Sequence, residues 1–161
     1  MLRLVVVFGL ACLLGLVIQA VLIHGLFPSA IAPDFITVLI VYIALHHRTP
    51  LGAVGAFSLG VLEDFASGQF VGPCAAGAVV AFIVSALIAD KVYAERLPAL
   101  VALTALASTA KAFTFLGVIA LYVRVNLLSA PVVWVVLAEA LLSAVVAPIV
   151  VKLLQPGRQY A

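Results

Sequence analysis

LPALVALTALASTAKAFTFLGVIALYVRVNLLSAPVVWVVLAEALLSAVVAPIVVKLL, residues 97–154, is two apolar runs joined by a short link around Arg124. Each run carries one ionisable group near its middle, Lys111 in the first and Glu139 in the second. A helix needs about 20 apolar residues to cross roughly 30 Å of hydrocarbon, and both runs are long enough. A charge at the centre of such a crossing costs about 2.5–3.5 kcal/mol on insertion scales. About a dozen Leu, Val, Ile and Phe residues per run, at about 0.3–0.6 kcal/mol each, offset that cost. The runs therefore insert, but their charges have to face protein rather than lipid.

The rest of the chain agrees. Of 161 residues, 67% are apolar and only 9% charged, and the mean hydropathy is +1.40. A soluble domain carries about 25% charged residues, so this composition cannot cover a water-facing surface. The expected architecture is all-α, with six transmembrane helices forming a single domain over residues 1–161. The spans are read as Leu4–Leu26, Phe35–Leu45, Leu51–Ala66, Cys74–Ala89, Leu97–Tyr122 and Ala130–Leu154. The second is short. Helices are required because an open sheet edge cannot be satisfied in lipid, and the apolar residues do not alternate as barrel strands do.

Orientation follows from the basic residues of the short loops. With six spans and the N-terminus in the cytoplasm, Arg3, Arg48, Lys91, Arg96, Lys152 and Arg158 all fall on the cytoplasmic side, and Arg124 alone falls outside. The first segment reads as a span rather than a cleaved leader, because its apolar run exceeds the usual core of a signal peptide. The net charge of +2 belongs to this inner fringe and points to no nucleic acid.

The third span carries Gly52, Ala56 and Gly60 at intervals of four, a small-residue stripe that lets a neighbouring helix approach closely. Glu63 continues that face, either emerging toward headgroups or facing a cavity. Asp64 precedes a turn-forming stretch containing Gly68, Gly72 and Pro73. Its carboxylate can accept from the backbone N–H groups of that turn. In the fifth span, Thr104, Ala107, Ser108, Phe115 and Tyr122 share a face with Lys111. The fifth and sixth spans run antiparallel, which places Lys111 and Glu139 at similar depth. A pair between them is expected, directly or through a water or hydroxyl. It would either fix helix register or, with Glu63 and Asp64, form the polar wall of a cavity.

Other signals are bland. Cys12 and Cys74 fit as small core residues, and the adjacent His46 and His47 beside Arg48 read as an interfacial loop. No metal-ligand spacing, nucleophile triad or phosphate-binding glycine loop is present, so neither cofactor nor catalysis is expected. In the first span, Gly9, Cys12, Gly15 and Gln19 form a small, weakly polar face suited to a partner helix.

Pro33-Asp34-Phe35 opens one span. Gly60-Val61-Leu62-Glu63-Asp64 follows one span later, then Ser67-Gly68 and Gly72-Pro73-Cys74-Ala75. That succession, in a six-span chain of this length, resembles the rod shape-determining protein MreD family. Pro33, Asp34, Gly60, Asp64, Gly68 and Gly72 are the positions that carry the likeness. The resemblance implies a non-catalytic bacterial inner-membrane component of the elongation machinery, with both termini cytoplasmic. It implies association with MreC, a single-span coiled-coil protein, and through it with MreB, RodA and a class B penicillin-binding transpeptidase. It also implies a bundle like the S-components of energy-coupling-factor transporters. The alternative is a small-molecule-binding S-component proper, or a carrier; outer loops made mostly of Ala, Val, Leu, Ser and Pro favour the scaffold.

Overall fold

The structure is a computed structural model, which describes residues 33–67, 72–89, 97–123 and 130–154. These residues form five helices: α1 (Phe35–His46), α2 (Pro50–Ser67), α3 (Pro73–Ala89), α4 (Leu97–Val123) and α5 (Ala130–Leu154). Every boundary lies within one residue of the span read from hydropathy. The first span, Leu4–Leu26, lies outside the described residues. Two helices, α4 and α5, are long and apolar enough to cross a membrane, while α1 and α3 are shorter apolar helices.

Helix α1 is the core of the bundle. Asp34 is its N-cap; the carboxylate accepts from the Thr37 backbone N–H at 3.0 Å and from the Thr37 hydroxyl at 2.5 Å. Such a cap satisfies donors that the first turn otherwise leaves open. Eight of its residues, from Ile36 to Ala44, are buried, and it touches each of the other four helices. It is apolar on every side because every side is packed. At its far end the His47 N–H closes on the Ile43 carbonyl at 2.7 Å, and Thr49 accepts from Gly52 N–H where α2 begins.

The small-residue stripe joins α2 to α3. Gly52, Ala56 and Gly60 are all buried. A Cβ added at Gly60 would lie 2.5 Å from Cα of Ala75 and 2.8 Å from Cβ of Ala78. Only glycine permits the two backbones that proximity.

Large apolar side chains cover the outside, including Leu51, Phe65, Leu87, Trp134 and Leu141, each more than 60% exposed. A water-soluble monomer does not expose so many; a membrane protein presents them to lipid. The hydroxyls obey the same solvent. Ser85, Thr104, Thr109, Thr114 and Ser143 each donate to the carbonyl one turn back at 2.7–2.9 Å, the local solution where no water competes.

Candidate functional site

Four stretches of chain converge on Lys111. Its ammonium donates to Asp34 Oδ2 at 2.7 Å, to Glu63 Oε2 at 2.7 Å and to Glu63 Oε1 at 2.9 Å. Asp34 comes from the cap of α1, Glu63 from the last turns of α2, and Lys111 from the middle of α4. Helix α5 joins through Ser143, whose hydroxyl accepts from the Asp34 N–H at 2.8 Å and donates to the Glu139 carbonyl at 2.8 Å. Helix α3 supplies Gly77: a Cβ there would meet Lys111 Cγ at 2.9 Å and the Lys111 carbonyl at 3.0 Å. The junction around one lysine thus ties together all five described helices, α5 through Asp34. Lys111 is 5% exposed and Asp34 4%, so both charges depend on each other rather than on solvent.

A second polar knot closes the turn between α2 and α3. Asp64, buried, accepts from the backbone N–H groups of Gly72 at 2.8 Å, Cys74 at 2.9 Å and Ala75 at 3.1 Å. Those are orphan donors at the start of α3, and an anion is well placed there. Gly72 has φ +127°, in the left-handed region where a side chain is strained.

A cavity of about 410 Å³ opens beside the lysine junction. Its polar lining is Asp34, Glu63, Ser108, Lys111 and Glu139, with Cys74 at the edge of α3. Leu116, Val132 and Val135 are among its apolar walls. Among the described residues, no group of three or more His, Cys, Asp or Glu could hold a metal.

Several sequence expectations change here. Lys111 and Glu139 do line one cavity, but the lysine's ion pairs are with Asp34 and Glu63, and neither is Glu139. Glu63 does not emerge toward headgroups; it is drawn in by Lys111. Asp64 does not line the cavity, because its oxygens are spent on backbone N–H groups. On the Lys111 face Thr104, Ala107 and Ser108 are buried, but Tyr122 is 65% exposed. Gly9, Cys12, Gly15, Gln19 and Gly68 lie outside the described residues. Asp34, Glu63 and Gly77 are partners of the lysine that the sequence reading does not give. The length of α1 holds the signal for Asp34: 12 residues rise only about 18 Å, so the cap of so short a helix sits well inside a bilayer of roughly 30 Å.

A family model described as rod shape-determining protein MreD matches residues 1–156. No curated protein and no solved structure matches the chain.

Proposed function

The chain belongs to the MreD family of rod shape-determining proteins, and from that premise we propose that it is a non-catalytic scaffold of the bacterial elongation machinery, built as a single six-span domain over residues 1–161. It sits in the inner membrane with both termini in the cytoplasm, and its bundle is of the S-component type. Its partner is MreC, docked by lateral packing of MreC's single span, with MreB, RodA and a class B penicillin-binding transpeptidase reached through that contact. Together they organise lateral peptidoglycan synthesis.

The observation that carries this is where the ionised groups go. Lys111, Asp34 and Asp64 are consumed in contacts between helices, so the conspicuous charges build the bundle rather than a reaction centre. What remains for recognition of a partner helix is the apolar exterior. The first span, with Gly9, Cys12, Gly15 and Gln19, is the proposed docking face.

The test is disulfide crosslinking in membranes between Gly15→Cys or Gln19→Cys and single cysteines along the MreC span. A periodic pattern of crosslinks, three or four residues apart, supports the site. Silence from every position, with MreC still co-purifying, moves the interface elsewhere. Loss of co-purification altogether removes the scaffold reading. The cavity also fits a small-molecule-binding subunit of a transporter; neighbouring genes for ATPase subunits, rather than for a single-span coiled-coil protein, would favour that alternative.

A further inference from the structure

The cavity holds hydrogen-bonding capacity that the lysine junction does not use. The three N–H donors of Lys111 are directed at Asp34 and Glu63, so no cationic donor is left over for an anion. Glu139 lines the same cavity, and its carboxylate takes part in no hydrogen bond or ion pair among the described residues. Ser108 lines it too. It is 4% exposed, and alone among the described Ser and Thr side chains it makes no hydrogen bond. A serine in such a helix normally donates to the carbonyl a turn back, as its neighbours do. A buried hydroxyl left open toward a cavity marks a place where something else completes it.

Charge narrows the class. One lysine stands against three carboxyl groups around this cavity, and surplus negative charge in a low-dielectric site is neutralised by a proton or by a bound cation. The lining offers no metal site among the described residues. The apolar walls supplied by α4 and α5 are alanine, valine, leucine and phenylalanine. The volume of about 410 Å³ falls in the range of small-molecule pockets. A cationic head with an apolar body satisfies all of these together.

We propose that this cavity binds the ammonium head of an amphiphilic primary amine. Glu139 is its counter-ion, Ser108 accepts one of its N–H groups, and Leu116, Val132 and Val135 receive the alkyl portion. The amine can be an aminophospholipid headgroup or a free alkylamine; the chemistry is shared. The site is independent of the scaffold role, since a scaffold can carry a bound ligand.

Photo-crosslinking tests it, with the full chain in phosphatidylcholine nanodiscs and a dodecylamine bearing a mid-chain diazirine. Saturable labelling is expected within residues 108–116 and 132–139. The uncharged dodecanol analogue should label those peptides about tenfold less, as for loss of one charge-assisted contact. Glu139→Gln should lower amine labelling about tenfold with an unchanged melting temperature, because the native carboxylate holds no other residue. Val135→Trp should block labelling by occupying the space. Competition by phosphatidylethanolamine identifies the lipid source, and competition by soluble decylamine alone identifies a free amine. Equal labelling by amine and alcohol, or labelling that survives both substitutions, overturns the proposal. Crosslinking to MreC would be unaffected in either event.

Discussion

Lys111 is closest to two carboxylates that approach it from different helices, at 2.7 Å each. Remove the ammonium and two buried anions face one another with nothing between. Breaking a buried pair by deleting one partner costs about 3–5 kcal/mol, far more than the net worth of the pair. Lys111→Met is therefore expected to lower unfolding stability by about that amount, read by thermal or denaturant unfolding in detergent. The triple variant Lys111→Met, Asp34→Asn, Glu63→Gln removes the orphaned charges and should recover most of the loss. A benign single substitution would show that the junction does not hold the bundle. Asp64 differs in kind, because its three donors are backbone N–H groups that stay in place whatever residue stands at position 64. Asp64→Ala leaves them buried and open, at about 1–3 kcal/mol for each group left unsatisfied. Asp64→Asn keeps one acceptor oxygen and should lose less. A loss for Asn equal to that for Ala would sink this account of the turn.

Helix contacts are decided by where a side chain is missing. Gly60→Leu drives α2 off α3, since even one added carbon would lie 2.5 Å from the Ala75 backbone. A loss of about 1–3 kcal/mol or more is expected. Gly55→Ala is the matched control on the same helix: its new Cβ meets nothing nearer than Ile43 Cδ1 at 4.0 Å. It should be neutral, or stabilising by up to about 1 kcal/mol through helix propensity. Equal damage from both would mean the stripe does not set the approach. These elements were legible beforehand because apolar length and turn residues mark where helices begin and end, and a period of four marks Gly52, Ala56 and Gly60 as one face. Asp64 was legible for a local reason: its partners lie 8–11 residues away, within one turn-forming segment. The partner of Lys111 was not, since Asp34 is 77 residues distant and Glu63 is 48. Matching depth between adjacent spans pointed to Glu139, which does share the cavity. Which carboxylate the ammonium reaches depends on the central placement of the short α1, a property of the packed bundle that no hydropathy window contains.

For the molecule as a whole, a bilayer of roughly 30 Å poses a problem of length. Helices α4 and α5, with 27 and 25 residues, are long enough to span it with some tilt. Helices α2 and α3, with 18 and 17 residues, reach about 27 and 26 Å. Helix α1 does not reach across alone, and survives because its neighbours rather than lipid surround it. Whether all of these cross is a matter of parity. Between His47–Thr49 and residues 124–129 in the chain lie three helices, α2, α3 and α4, an odd number of crossings if each one spans. The two links must then face opposite sides of the membrane. Between the first link and the C-terminal end lie four helices, so those two must face the same side. The proposed six-span arrangement puts Arg48 and Lys152 on one side and Arg124 on the other, as the inside bias of positive charge requires. Alkaline phosphatase, which folds only outside the cytoplasm, reads this directly when fused after chosen residues. Fusion after residue 127 should be active, and fusions after residue 48 and residue 161 inactive. An active fusion at residue 161 beside an inactive one at 48 would mean that one of α2–α5 does not cross. The lysine junction could not then sit inside the bilayer with α1 at its centre.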